Sequence, residues 1–264
     1  YSRVRQLAGI ASITSDYKQT AIVATIAHEK PHQGLAIERF FAAGPFAVLP
    51  MTGNRSSLVW VEPPERAKAM LTLNTEALEE QIQQRVGDVF GKITIEDTSR
   101  PGKARREAAE AKWEVAGQGP QSKKIFSYPL QFVLPKQYFR GRIVLAGDAA
   151  HGMHPIAGQG VNLGYRDVAA LAEVLVAAAK RGQDLGSSAV LRDYQQWRSF
   201  DSLAMLTVTD GLTRLFSNNQ PVLKTVRDLG LGAVERLPLA KRFFMKHAMG
   251  VIGDLPPLMR KNAA

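Results

Sequence analysis

The chain has 264 residues, of which 45% are hydrophobic, and it carries a formal net charge of +10 without a single cysteine. This length and apolar content suffice for one large folded domain or two small ones. The lack of cysteine excludes disulfides, thiolate metal sites and cysteine nucleophiles. The positive charge is spread along the chain without the aromatic interleaving of single-strand binders, so we predict no nucleic-acid partner.

The sequence gives two signals about location. No apolar stretch approaches the roughly 20 residues of a bilayer-spanning helix, and the first ten residues lack the hydrophobic segment of a secretory signal. We therefore expect a cytoplasmic protein. Residues 239–261 mix Lys and Arg with Phe, Met and Leu, a composition typical either of peripheral contact with an anionic inner-membrane surface or of ordinary helical packing.

Four short segments between residues 19 and 63 are rich in β-branched and aromatic residues and are separated by Pro, Gly and Asn. They predict a mostly antiparallel sheet. An amphipathic helical pattern follows, and we expect Asn74 to cap this helix and Gly91 to end it. Residues 99–124 combine Pro, Gly and many charges, which indicates a basic excursion from the fold.

The second half of the chain begins with an apolar run at 143–146 that lacks polar alternation, which predicts a parallel strand buried on both faces. A glycine-rich loop and an amphipathic helix follow the run. The expected apolar stripe of this helix is Val168, Leu171, Ala172, Leu175 and Ala179. From about Leu191 onward the chain is predicted to be helical.

The glycine-rich loop, GDAAHGMHPIAGQGVNLGYRD, begins at Gly147. The spacing of Asp148, His151 and His154 raises the question of a metal site, but a glycine and a proline within the segment argue against a regular helix there. Two loop histidines are more often hydrogen-bonded scaffold residues. We therefore predict no metal.

The same loop also predicts a bare helix N-terminus. Gly158 and Gly160 let a ligand approach the backbone, and unpaired amides together with the helix dipole favour a negative charge. The spacing from these glycines to Gly164 is one residue longer than in GxGxxG, so this is not the usual first-strand nucleotide motif. With Asp148 available to accept hydrogen bonds from hydroxyls, the pattern favours a ligand that carries both a polyol and a negative charge.

The stretch from Gly147 to Leu171 resembles, in residue types and spacing, the second flavin-binding motif of the FAD-dependent aromatic hydroxylases. The residues that match are Gly147, Asp148, Ala149, Ala150, His151, Pro155, Gly158, Gly160, Asn162, Gly164, Asp167 and Leu171. The resemblance implies FAD as cofactor, with the aspartate on the ribityl hydroxyls and the loop after the proline beside the flavin ring. The cofactor-binding residues that it implies are Gly147, Asp148, Pro155, Gly158, Gln159, Gly160, Val161 and Asn162.

Further pieces are similar to a narrower branch, the ubiquinone-biosynthesis hydroxylases: GPFAVLPM, SSLVWV, SYPL and the segment 216–260. The resemblance implies a monooxygenase that hydroxylates a polyprenylated phenol, with NADPH or a ferredoxin as electron donor and no catalytic side-chain triad. The candidate substrate contacts are Pro45, Phe46, Val48 and Pro50, for which plain sheet core is the alternative. A hydroxylase of smaller soluble phenols and a non-catalytic partner in a quinone-synthesis complex stay open as other functions.

These observations predict an α/β fold of α+β character. We expect a substrate-domain sheet over residues 1–140, the C-terminal part of a Rossmann-like FAD domain over 141–185, and a helical region over 186–264. Members of the resembled family begin with a strand, a GxGxxG turn and a helix that hold the ADP half of FAD, and no such unit precedes Tyr1. We therefore expect a C-terminal portion that is inactive by itself.

Overall fold

The computed structural model describes residues 2–96 and 125–216, together with residues 237, 238, 242 and 256–259. The predicted basic excursion at 99–124 and most of the predicted membrane-contact segment lie outside these residues. The chain divides into two compact units, one formed by residues 18–130 and the other by residues 1–17 and 131–264. Each unit is described by itself, and the predicted domain boundaries after residues 140 and 185 stay predictions.

A six-stranded sheet dominates the fold, with strand order β2-β3-β4-β1-β5 and with β6 paired to β1. The pairs β1–β4, β1–β5, β2–β3 and β3–β4 are antiparallel, which confirms the mostly antiparallel sheet. The strands are β1 (Ser12–His28), β2 (Ile37–Phe41), β3 (Gly44–Met51), β4 (Arg55–Glu62), β5 (Ile93–Ile95) and β6 (Ile125–Pro135).

The strand register puts the large apolar side chains of unit 18–130 on one face of the sheet. Phe46 pairs with Trp60, which in turn pairs with Ile22, and all three are buried in one hydrophobic cluster. Because side chains alternate along a strand, Ala47 and Leu49 point to the opposite face, where burial is incomplete. The sheet therefore has one closed face and one partly open face.

Two helices follow β4: α2 (Pro64–Leu71), which the sequence reading missed, and α3 (Thr75–Val86). Asn74 caps α3 as predicted, because its side-chain oxygen accepts a hydrogen bond from the Ala77 amide at 2.9 Å. The prediction that Gly91 ends α3 is wrong. The helix ends at Gly87, whose φ of +73° is a left-handed conformation that glycine adopts easily.

The other unit is mainly helical. Its described elements are α1 (Arg3–Leu7), β7 (Phe139–Arg140), β8 (Ile143–Val144), three 3₁₀ turns (Gly147–Ala149, Pro155–Ala157 and Pro257–Met259), α4 (Gly160–Lys180) and α5 (Ser188–Phe216). A second hydrophobic cluster, which includes Tyr138, Leu145, Ala170 and Tyr194, joins these elements. No helix in the described part of the chain is long and apolar enough to cross a membrane.

The apolar run at 143–146 does not form the buried parallel strand that we predicted. Only Ile143 and Val144 are in a strand, and they pair antiparallel with β7. Ile143 is 48% exposed, whereas Leu145 is buried and its amide bonds to the Tyr138 carbonyl at 2.8 Å. The run therefore forms one side of a short hairpin. Its apolar character comes from one buried leucine and not from a sheet that is covered on both faces.

The buried face of α4 also differs from the predicted apolar stripe. Val168 is 59% exposed, whereas the neighbouring charged residues Arg166 and Asp167 are buried. The buried face is thus rotated by about one residue, roughly 100° around the helix. Apolar periodicity could not reveal this rotation, because the charged side chains on the buried face are paired with oppositely charged residues of α5.

Replacing Asn74 by Ala should lower the free energy of unfolding by about 1 kcal/mol, because the first turn of α3 loses its side-chain acceptor. Urea unfolding followed by circular dichroism measures this difference. Asn74→Ser should keep most of the stability, since serine also caps helices well. Equal stability of Asn74→Ala and the wild-type chain would contradict the capping role.

Candidate functional site

The Gly147–Ala149 turn passes very close to α4. Gly147 has a φ of +58°, and a Cβ built on Gly164 would lie 3.4 Å from the Gly147 Cα. A side chain at Gly147 would be strained by the positive φ, and one at Gly164 would press on the turn. The two glycines therefore let the backbone of the loop lie directly against the helix.

Asp148 lies in this turn and is exposed. The residues that the structure describes give its carboxylate no hydrogen bond and no ion pair. The backbone of the next residue, Ala149, is held by a hydrogen bond that its carbonyl accepts from the Arg5 guanidinium of α1 at 3.0 Å. The turn thus holds its backbone in place while the Asp148 carboxylate stays available to a ligand with hydroxyl groups.

The carboxylate of Asp167 on α4 holds the turn through hydrogen bonds. Its Oδ2 accepts hydrogen bonds from the Gly147 amide at 2.8 Å and from His151 Nε2 at 2.7 Å, and its Oδ1 accepts one from Arg198 Nε at 2.7 Å. Burial alone would raise the pKa of Asp167, but hydrogen bonds and charge from His151 and Arg198 lower it overall. The side chain is therefore an ionised, fully bonded carboxylate.

The network continues along α5. Arg198 NH1 donates to Asp201 at 2.7 Å, and Arg166 NH1 donates to the same carboxylate at 3.1 Å. Buried charges are tolerated when they are paired, and here two guanidinium groups and two carboxylates alternate. Each charge in this network therefore lies against a partner of opposite sign.

His154 holds the second half of the loop. Its ring is buried, its Nδ1 accepts a hydrogen bond from the Ile156 amide at 3.2 Å, and it packs edge-on against Tyr17 with ring centroids 5.0 Å apart. Burial lowers the pKa of His154 to about 4, although the charge of Asp210 opposes this shift. The ring is therefore neutral at physiological pH and serves as the cap of the Pro155–Ala157 turn.

Among the described residues, no side chain caps the N-terminus of α4. Gln159 stands at the cap position without a side-chain cap bond, and its Oε1 accepts a hydrogen bond from Asn162 Nδ2 at 3.2 Å. Cβ atoms built on Gly158 or Gly160 would meet no described atom within 4 Å, and Val161 is exposed. The first amides of a helix have no intrahelical acceptor, so this end offers donors and positive potential to an anionic group.

The structure brings all the predicted cofactor residues into one continuous segment of one unit, although their contact with a cofactor stays a prediction. The predicted substrate contacts lie on β3 of the other unit. Phe46 and Val48 are fully buried in the closed face of the sheet, Pro50 is half-buried on that face, and Pro45 points to the opposite face but is itself buried. Their contact with a substrate likewise stays a prediction.

Both loop histidines already have scaffold partners, His151 with Asp167 and His154 with a backbone amide. Within the described ranges, no group of three or more His, Asp or Glu side chains could hold a metal ion.

Sequence reasoning missed several residues that build the site: Arg5, Tyr194 and Arg198. Tyr194 of α5 donates a hydrogen bond from its hydroxyl to the Leu145 carbonyl at 2.9 Å, just before the turn. Asp167 was part of the recognised motif, but without a role. An arginine and a tyrosine on a distant helix carry no local signal for contact with this loop.

Comparison with known proteins agrees with this geometry. The family described as "FAD binding domain" matches residues 1–207. The chain belongs to the FAD binding domain family. The match confirms the resemblance drawn from the glycine-rich motif, and the mixed α/β fold with its antiparallel sheet confirms the predicted fold class.

Two curated relatives of this chain are named as hydroxylases. This chain is 47% identical over 262 residues to the ubiquinone hydroxylase UbiL of Rhodospirillum rubrum, covering 98% of this chain and 55% of the relative. It is 36% identical over 250 residues to the 3-demethoxyubiquinol 3-hydroxylase of Escherichia coli, covering 95% of this chain and 57% of the relative. The chain thus spans about half the length of the curated relatives it matches.

A solved structure supports the fold. The p-nitrophenol 4-monooxygenase PnpA of Pseudomonas putida superposes with a TM-score of 0.67 at 16% identity, over 96% of this chain and 57% of that protein. At this identity the likeness concerns the fold alone.

The buried neutral His154 should make stability depend on pH. The unfolded chain takes up a proton on this residue near pH 6.5, whereas the folded chain does so only near pH 4. The free energy of unfolding should therefore be fully present above pH 6.5 and should fall as the pH drops toward 4, by at most about 1.4 kcal/mol per pH unit.

Urea unfolding at a series of pH values measures this slope. His154→Asn keeps an acceptor for the Ile156 amide but cannot titrate, so its curve should be flatter between pH 6.5 and 4 than that of the wild-type chain. Asn74→Ser, which changes no titratable group, should keep the wild-type slope. An unchanged slope in His154→Asn would show that other groups cause the dependence.

Proposed function

We propose that this chain is part of an FAD-dependent monooxygenase that hydroxylates the aromatic ring of a polyprenylated phenol in ubiquinone biosynthesis. The observation that carries the proposal is the exposed carboxylate of Asp148, which has no partner among the described residues, in the same loop as an N-terminus of α4 that no described side chain caps. The names of the relatives, ubiquinone hydroxylase and 3-demethoxyubiquinol 3-hydroxylase, supply the substrate class.

The loop fits FAD on chemical grounds. The ribityl chain of the flavin carries hydroxyl groups, and a carboxylate such as Asp148 can accept hydrogen bonds from them. The segment 158–162 presents backbone amides with no side chain over Gly158 or Gly160, so that a flat ring can approach the helix end. FAD, when bound, supplies the redox chemistry that activates oxygen.

The protein residues contribute orientation and charge. Amides at the N-terminus of α4 would stabilise negative charge on a bound flavin, in the manner of an oxyanion hole. Pro155, at the start of the Pro155–Ala157 turn, would help to hold the ring. The site needs no side-chain nucleophile, since binding, orientation and the exclusion of water suffice for the protein's share of this reaction.

We propose β3 as a substrate contact, through Pro45, Phe46, Val48 and Pro50. Pro45 points to the same sheet face as Ala47 and the 41% exposed Leu49 but is itself buried. The accessible apolar surface at Ala47 and Leu49 supports a wall for a prenylated ring, and the buried Pro45, Phe46 and Val48 would support that wall from within the sheet. We propose NADPH or a ferredoxin as the electron donor. Because the proposed substrate is prenylated, we also propose that the protein makes peripheral contact with the inner membrane or with a quinone-biosynthesis complex.

Asp148→Ala should weaken FAD binding by about tenfold or more, the usual effect of losing hydrogen bonds to a charged group. The measurement is a titration of the full-length gene product, stripped of flavin, with FAD fluorescence as the readout. Asp193→Ala, an exposed carboxylate on α5, should bind FAD like the wild type. Wild-type affinity in Asp148→Ala would sink the assignment of this loop as the ribityl site.

With FAD and a competent donor, the full-length gene product should hydroxylate a polyprenylated phenol faster than the same phenol without the prenyl chain. Mass spectrometry with isotope-labelled O₂ should show one labelled oxygen in the product. NADPH and reduced ferredoxin are offered separately, which identifies the donor. Turnover of the simple phenol alone would favour a hydroxylase of smaller soluble phenols, and flavin binding without product from either phenol would favour a non-catalytic partner.

A further inference from the structure

We infer that Asp167 is a positioning residue that clamps both ends of the turn 147–151, and thereby aims the Asp148 carboxylate at its ligand. The inference rests on the proposed function, because the ligand whose hydroxyls Asp148 receives is the proposed FAD. Nothing in the motif by itself assigns this role, since Asp167 is fully buried inside the unit and cannot reach a ligand.

The geometry of one oxygen atom carries the argument. Asp167 Oδ2 accepts hydrogen bonds from the Gly147 amide and from His151 Nε2, the two residues that bracket Asp148. A single acceptor therefore fixes the start and the end of the turn at once. Any movement of Oδ2 would shift both ends and would rotate Asp148 between them.

Packing alone gives the start of the turn little support. Where Gly147 meets Gly164, backbone lies against backbone without side chains, so few apolar contacts can hold the approach in register. Inside the turn, two backbone hydrogen bonds of 2.8 and 3.0 Å run to the Gly147 carbonyl. The turn is tied to the rest of the unit by the hydrogen bonds to Asp167 on one side and by that from Arg5 to the Ala149 carbonyl on the other. Loss of the Asp167 clamp should therefore loosen the turn locally.

Arg198 fixes the orientation of the clamp. Its Nε donates to Asp167 Oδ1, which leaves Oδ2 to the turn, and its NH1 is held in turn by Asp201. Arginine has donors only and cannot accept a hydrogen bond. The Asp167 side chain must therefore present an acceptor to α5 as well as one to the turn, a requirement that a carboxylate meets.

Asp167→Asn is a sharp test, because an amide has one acceptor end and one donor end. If the amide oxygen faces Arg198, the NH₂ group faces the turn. His151 can respond by changing its tautomer and accepting a hydrogen bond, but the Gly147 amide is a donor only and must lose its partner. The opposite orientation would set the NH₂ group against a guanidinium, which costs more.

The first measurement is amide hydrogen exchange of the 264-residue chain. Asp167→Asn should accelerate exchange at Gly147 and its neighbours by about tenfold or more, the loss of one buried hydrogen bond, and should change the middle of α4 and α5 far less. The matched control is Asp184→Asn, which breaks an exposed ion pair with Arg142 in the same unit. Acceleration that is equal throughout α4 and α5 would show a general loss of stability and would overturn the clamp.

The second measurement is a double-mutant cycle on FAD affinity in the full-length gene product. Asp167→Asn alone should weaken FAD binding by about tenfold, whereas in an Asp148→Ala background the same change should have little further effect, because Asp167 acts through Asp148. Independent, multiplying effects of the two changes would overturn the inference.

The two arms separate this inference from the proposed function. If Asp167→Asn releases the turn in hydrogen exchange while the wild-type protein binds no FAD, the clamp stands and the flavin assignment fails. If the wild type binds FAD and Asp167→Asn affects neither exchange nor affinity, the flavin assignment stands and the clamp fails.

Discussion

The buried carboxylate of Asp167 is the interaction on which the loop depends. Asp167 belongs to α4, and its carboxylate accepts hydrogen bonds from the glycine-rich loop and from α5. A buried charge is stable only when it is fully bonded, so the partners of Asp167 are as constrained as the residue itself. The backbone around Asp148 is therefore fixed by groups that never touch the ligand.

A second constraint is the absence of side chains where the backbone must be reached. Gly147 and Gly164 allow the turn to lie against α4, whereas Gly158 and Gly160 leave the end of that helix uncovered. The same residue type thus serves two purposes, close packing inside and access outside. Only the local surroundings of each glycine distinguish the two.

Membership of the FAD binding domain family and the likeness to ubiquinone hydroxylases agree with this arrangement. The geometry adds what family membership does not state, namely how the loop is supported. Arg5 from the start of the chain, Tyr194 and Arg198 from α5 all bond to the segment 145–167. Residues far apart in sequence therefore prepare one short surface for a ligand.

The sequence by itself determined the antiparallel sheet, the Asn74 cap and the flavin motif, because each depends on residue types at short, fixed spacings. It misplaced the end of α3, the apolar run at 143–146 and the buried face of α4. The first two are local features, a left-handed Gly87 and a short hairpin, that residue patterns did not distinguish. The buried face of α4 follows from contacts between distant segments, above all the pairing of Asp167 with Arg198. Tertiary structure alone decided that face, since a charged residue is buried only where folding brings its partner.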